Sequence, residues 1–179
     1  MIRKPEGSPK KNKAVIYTDG ACSGNPGKGG YGVVVMNAND RIELSGGYRR
    51  TTNNRMELMA AIAGLEALKE PSEVTLYSDS RYLVDANNLG WARSWKARGW
   101  RRSTKEKALN VDLWARLLNL NEIHNVTYVW VEGHAGVKEN ERCDFLSVQA
   151  SREANLPIDS GYEGEAKKET RKPAQGSLF

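Results

Sequence analysis

The sequence predicts an α/β domain, a five-stranded mixed sheet flanked by helices, and three observations predict it. Short β-branched runs at 14–18, 74–78 and 126–131 alternate with stretches of helical apolar spacing, the pattern of strands joined by helical crossovers. Two further runs, 31–36 and 41–47, are joined through Asn37-Ala38-Asn39-Asp40, a composition that favours an antiparallel hairpin. The chain has 179 residues, 39% of them hydrophobic, which suffices for one compact core with some tail to spare.

Taken in order, residues 14–18 (AVIYT) run straight into Asp19-Gly20 and read as a buried strand ending in a turn, followed by a glycine-rich loop at 24–30. From 53 to 69 the residues Leu58, Ile62, Leu65 and Leu68 recur at helical spacing, with Thr51, Thr52 or Asn53 available as the cap and Pro71 just beyond the end. Residues 74–78 (VTLYS) form a strand that delivers Asp79, and a helix over 81–87 completes a β-α-β unit. A helix over 111–120, a strand over 126–131 and a last helix over 139–153 follow, the last after a loop holding Gly133 and Gly136. The expected organisation is a basic tail at 1–12, one domain at 13–154, and a polar, charge-balanced, flexible tail at 155–179.

Composition excludes several classes of function. No apolar stretch approaches the roughly 18 residues of a membrane span, and the opening MIRKPEGSPKKNK has charge but no apolar core, so neither insertion nor export is expected. Cys22 and Cys143 are too few for a disulfide scaffold and lack metal-binding spacing, which fits reduced thiols and a cytoplasmic location. The net charge of +5 is segregated along the chain. Residues 1–13 hold five Lys or Arg against Glu6, and residues 91–107 hold seven against Glu106, so the remainder is net negative. A basic protrusion beside an acidic body suits a polyanion presented to a carboxylate site.

Those carboxylates carry the chemistry. Asp19 and Asp79 each follow an apolar run where a strand gives way to loop or helix, the rim at which open α/β sheets bind ligands, although an aspartate there also serves as a simple helix cap. Glu57 shares a helix face with Ala61, Gly64 and Leu68 and so points toward the packed side, where a lone carboxylate is desolvated without a partner. Asp144 lies in the last helix beside Cys143 and Phe145, a position with surface exposure as its default. Four carboxylates gathered at one sheet edge repel unless cations sit among them. An all-oxygen donor set selects Mg²⁺, with Mn²⁺ as substitute, and two such ions can activate a water and stabilise the leaving oxygen of a phosphodiester.

The strings TDGACSGNPG, TTNNRMEL, YSDSRYL and GHAG followed by NERCD, in this order and spacing, closely resemble bacterial ribonuclease H of type 1 over about residues 13 to 153. The resemblance implies a ribonuclease H-like fold with a basic handle. It also implies an endonuclease that cuts the RNA strand of an RNA/DNA hybrid with two Mg²⁺ ions, leaving 3′-hydroxyl and 5′-phosphate ends during removal of primers and R-loops. Carried over, the metal-binding and catalytic carboxylates are Asp19, Glu57, Asp79 and Asp144. His134, between glycines in Gly133-His134-Ala135-Gly136, occupies the place of the family's mobile loop histidine, which assists proton transfer or product release. A lone loop histidine is otherwise a solvated bystander.

The protrusion GWARSWKARGWRRSTKEK interleaves Trp91, Trp95 and Trp100 with Arg93, Lys96, Arg98, Arg101 and Arg102, a mixture suited to sugar faces and phosphates. Trp95 and Trp100 equally suit a small core within the protrusion, and both roles can hold together. The resemblance makes this segment the family's handle on the DNA strand. It further matches Arg50, Thr52 and Asn110 to positions that hold a DNA phosphate, and Cys22, Gly24, Asn25, Asn53 and Asn54 to positions near RNA 2′-hydroxyls. Arg81 departs from the neutral glutamine of a well-known bacterial member, which favours a phosphate or sugar contact over a base edge there. A related fold member acting on DNA, a resolvase or transposase core, is the alternative, and the handle and the TTNNRMEL string argue against it.

The chain closes on Gln175-Gly176-Ser177-Leu178-Phe179, apolar at its end after a tail that avoids large apolar residues. It looks like the short peptide by which bacterial replication proteins dock on the DNA sliding clamp through Gln175, Leu178 and Phe179, with Gly176 in place of the usual leucine. Alternatively, Leu178 and Phe179 fold back on the enzyme. Nothing in the sequence suggests more than a monomer.

Overall fold

The structure, a computed structural model, describes residues 12–164. The basic residues 1–11 and the closing peptide 175–179 lie outside the described residues. Five strands and five helices follow in the order β1 (Asn12–Gly24), β2 (Gly27–Asn37), β3 (Arg41–Thr51), α1 (Asn53–Glu66), β4 (Ser72–Ser78), α2 (Arg81–Asn88), α3 (Trp91–Ala97), α4 (Val111–Ile123), β5 (Asn125–Trp130) and α5 (Lys138–Ser151). The sheet order is β3-β2-β1-β4-β5, antiparallel from β3 to β1 and parallel from β1 to β5. The mixed sheet is therefore the one expected, with β1 at its centre. Among the described residues no helix is long and apolar enough to cross a membrane.

Local chemistry sets the element ends. The hairpin between β2 and β3 closes where the Asn37 side chain accepts from the amides of Asn39 and Asp40 at 3.0 and 2.9 Å, an Asx turn. Thr52 caps α1, accepting from the Arg55 amide at 3.4 Å, and Ser80 caps α2, accepting from the Leu83 amide at 3.3 Å. Ile16, Val33, Leu58, Ile62, Leu65, Leu76 and Trp114 are fully buried in the core that α1 and α4 close over the sheet.

Two expectations need correction, and one helix stands where none was expected. The glycine-rich stretch expected as a loop at 24–30 is mostly strand, and β1 runs unbroken through Asp19, which pairs with Gly32. Close helix approach explains part of it: a Cβ at Gly30 would strike Ser147 and Ser151 of α5, and one at Gly20, on the opposite face, would strike Met56 and Glu57 of α1. Two helices thus press on the middle of the sheet from opposite faces. The helix at 91–97 within the basic segment is not apparent from the sequence, and there Trp95 packs edge-on against Trp114 of α4 at 5.8 Å, joining the main core rather than a small core of the protrusion's own. The flexible tail expected from 155 begins instead as a docked strap: Arg49 donates through its amide to Pro157 at 2.9 Å, Asp159 is buried, and residues 160–164 form a helical turn. Composition hides such docking because the partners lie about a hundred residues away.

Candidate active site

The register of the parallel strands builds the site. The last β1–β4 pair is Thr18 with Ser78, so the residues immediately beyond it, Asp19 and Asp79, emerge side by side on neighbouring strands spaced about 4.8 Å apart. Gly20 then lets α1 close on the sheet and set Glu57 beside them. One carboxylate oxygen each from Asp19, Glu57 and Asp79 lies within 4.8 Å of the others. Asp144, on α5 and half-buried, approaches from the opposite side near enough for its charge to act on Asp19, but stands apart from the three whose oxygens converge.

The electrostatics are those of a site awaiting positive charge. Burial, then the charges of Asp79 and Asp144, push Asp19 up to about 8, against a lowering bond at 2.8 Å from the Gly20 amide. Burial and the charges of Asp19 and Asp79 hold Glu57 well above the usual carboxylate range. Burial also raises Asp79, partly relieved by a hydrogen bond from the Asn140 side chain and by the nearby His134. Glu57 Oε2 is buried without a hydrogen-bond partner, the orphaned acceptor that a divalent cation satisfies. The donor set is all oxygen, so the residues fit a hard divalent metal.

His134 lies exposed in the loop between β5 and α5, in a left-handed conformation at φ 56°, and the neighbouring Gly133 backbone passes so close to Asp79 that a Cβ there would meet Asp79 Oδ2. Asn140, buried in the first turn of α5, escapes a sequence reading as a site residue although it opens the NERCD string. Trp130 escapes it too. Its indole donates to the Asp79 carbonyl at 3.0 Å, and the Arg81 guanidinium lies over its ring at 3.8 Å, so that departure from the family pattern is held beside the cluster.

The remaining predicted residues fall in three places. The hairpin turn with Cys22, Gly24 and Asn25 reaches the start of α1: Asn25 Oδ1 accepts from the Asn53 amide at 3.2 Å, the Cys22 thiol donates to the Thr51 carbonyl at 3.5 Å, and Asn54 is exposed nearby. Thr52 and Asn110 are the N-caps of α1 and α4, with Arg50 exposed just before Thr52. In the basic segment Trp91 is 47% exposed while Trp95 and Trp100 are half-buried. Lys96 pairs with Glu122 and Arg102 with Glu106 at 3.9 and 3.5 Å, and Arg98 and Arg101 donate to the carbonyls of Ser94 and Thr104. These interactions aim exposed cations rather than bury them.

Fold and cluster together define a class: an α/β protein with an acidic, cation-seeking site at the rim of a mixed sheet. The RNase H family pattern matches residues 11–152. The chain is 64% identical over 152 residues to ribonuclease H of Syntrophus aciditrophicus (strain SB), covering 85% of this chain and 88% of that protein. It is 58% identical over 152 residues to ribonuclease HI of Synechocystis sp. (strain ATCC 27184 / PCC 6803 / Kazusa), covering 84% and 95%. Among solved structures it resembles LC9-RNase H1, with a TM-score of 0.74 at 32% identity over 89% of this chain and 83% of that one. It also resembles LC11-RNase H1 in complex with an RNA/DNA hybrid, with a TM-score of 0.57 at 26% identity over 76% and 95%. The chain belongs to the ribonuclease H family, type 1, whose members cleave the RNA of RNA/DNA hybrids.

Proposed function

We propose that the chain hydrolyses the RNA strand of RNA/DNA hybrids at the Asp19, Glu57, Asp79 and Asp144 cluster, leaving 5′-phosphate and 3′-hydroxyl ends. The buried, unpartnered Glu57 Oε2 facing two more carboxylates carries this reading, because such a trio stays fully ionised at neutral pH only around cations. These four residues would hold two Mg²⁺ ions, or Mn²⁺ as substitute. When bound, the ions supply activation of the attacking water and charge stabilisation of the leaving oxygen.

The chain's own residues do the rest. Asn140 orients Asp79 through its side-chain hydrogen bond. His134, exposed on its loop, is free to carry a proton between the site and solvent. The 2′-hydroxyls are read by the turn of Cys22, Gly24 and Asn25 with Asn53 and Asn54, which makes RNA the cleaved strand. The DNA strand is gripped by Trp91, Trp95, Lys96, Arg98, Trp100, Arg101 and Arg102 along the handle, and by Arg81 beside the cluster. One DNA phosphate sits with Arg50, Thr52 and Asn110, where the N-termini of α1 and α4 meet. The enzyme acts as a cytoplasmic monomer on hybrids such as primers and R-loops. Cleavage of hybrid but not of duplex DNA or duplex RNA is the expected result. Equal cleavage of duplex DNA would overturn it.

Three further outcomes are expected. His134→Ala retains measurable single-turnover activity, falling by about 10²-fold at most, since it assists a step driven elsewhere. Replacing Arg98, Arg101 and Arg102 together with Ala raises KM more than it lowers kcat, because remote phosphates are held equally in ground and transition states. The slope of log K against log salt then falls by about 0.7 to 0.9 for each phosphate the handle no longer holds. Residues 175–179, proposed from sequence alone to dock on the sliding clamp, should bind purified clamp in surface-plasmon measurements, and the chain lacking them should not.

A further inference from the structure

A buried ionic cluster lies away from the carboxylate site. Arg55, in the first turn of α1, is 2% exposed. Its Nη1 and Nη2 donate to Asp112 at 2.8 and 2.6 Å, and its Nε and Nη2 donate to Asp159 at 2.7 and 2.8 Å. Asp159 also accepts from Thr51 Oγ1 at 2.6 Å and from the Tyr162 amide at 3.2 Å. One carboxylate would neutralise Arg55, and Asp112, 42% exposed, already does so at low desolvation cost. The second carboxylate is the buried one, at 6%, and neutralisation does not account for it.

What the cluster joins accounts for it. Arg55 follows the cap Thr52, and Asp112 follows the cap Asn110, so their ion pair ties the N-terminus of α1 to that of α4. Thr51 stands between Arg50 and Thr52, and its hydroxyl is held by Asp159. Asp159 belongs to the strap at 155–164, which Arg49 fastens through its amide to Pro157 and through its guanidinium to Glu163 at 2.9 and 2.8 Å. Every group assigned to the DNA phosphate thus lies within three residues of a member of this cluster.

We infer that Asp159 is a positioning residue for substrate: the strap, docked through Arg55, holds Arg50, Thr52 and Asn110 at the spacing that receives the DNA phosphate. The inference rests on the reading of those three residues as a phosphate pocket. Donors fixed before binding lose no freedom when the phosphate arrives, and that advantage vanishes when the strap loosens. The pocket is remote from the scissile bond, so its loss acts on KM rather than kcat.

The test uses the full chain and short hybrids in which a single neutral methylphosphonate is walked along the DNA strand. With wild type, the positions held by the handle should raise KM, and so should one further position that stays sensitive when Arg98, Arg101 and Arg102 are replaced by Ala; that one is the sensitive position of the pocket. With Asp159→Asn, KM on the unmodified hybrid should rise about five- to tenfold at nearly unchanged kcat. The methylphosphonate at the sensitive position should then cost the variant less than half the factor it costs wild type. A merely structural role predicts the same factor for both proteins, and that result, or an unchanged KM, overturns the inference. Gly161→Ala is the second variant, decisive if Asp159→Asn does not fold: a Cβ there would strike Asp112 Oδ2 and Arg55 Nη2 and so disturb the strap's dock without removing a charge. It should show the same loss of sensitivity. Absence of any sensitive position beyond those the handle holds would overturn the phosphate pocket itself, and this inference with it.

Discussion

Asp19→Asn loses on the order of 10³-fold or more of its cleavage rate while the metal-free protein becomes more stable at pH 8. The first effect follows because Asp19 sits within reach of Glu57, Asp79 and Asp144, and no neighbour can supply the missing charge. Charge stabilisation worth several kcal/mol corresponds to that factor in rate. The second effect has a definite sign. Asp19 is held up to about 8 in the folded protein, above its ordinary value, so its favourable contribution exists below the usual carboxylate range and disappears as pH rises through about 8. Asn carries no charge and escapes that loss. Calorimetric melting in chelator should therefore place the variant above wild type at pH 8 and bring the two together near pH 4. Single-turnover cleavage at saturating Mg²⁺ checks the other half, and near-normal turnover would sink the assignment.

Arg55→Ala should be among the most destabilising single changes available in this chain. It strands the buried Asp159 with only the Thr51 hydroxyl and the Tyr162 amide to face its charge. Removing one partner from a buried ion pair costs about 3–5 kcal/mol, and at about 2–4 °C per kcal/mol for a chain of this size the melting midpoint falls by roughly 6–20 °C. The acid side of the stability profile changes too. Burial alone would raise Asp112, but the Arg55 hydrogen bonds outweigh it and hold the group below its ordinary value. Its contribution is present above the usual carboxylate range and lost as pH falls, so the variant's stability should vary less with pH on that side. Thermal melts of both proteins across the acid range would show it, and a midpoint within about 2 °C of wild type would contradict the account.

Much of the fold is legible in the sequence. Periodicity places all five strands and four helices, because each buries one face and the apolar spacing records it. Asp19 and Asp79 are readable as strand-end carboxylates, and Glu57 as a carboxylate turned inward. The extent of β1 is not readable, since Gly20 looks like a turn residue and Gly30 like a loop residue until two helices are seen pressing on them. Arg55 and Asp159 give no local signal at all: an arginine in a helix and an aspartate in a polar stretch are ordinary, and only the fold brings them to 2.7 Å across 104 positions. Arg81 stands out as a departure from the family pattern, but its ring partner Trp130, far along the chain, does not.

The placement of β1 at the centre of the sheet bears on how the protein comes into being. Its flanking strand β4 follows some fifty residues of intervening chain, and α5, which covers β1 and β2, comes from near the other end of the described residues. A nascent chain can form the β1–β2–β3 meander early, but Asp79 and Asp144 cannot meet Asp19 until β4 and α5 have been synthesised. The carboxylate cluster is therefore completed only late in translation, and a polypeptide still in the ribosome before α5 has no assembled cluster to turn on nearby nucleic acid.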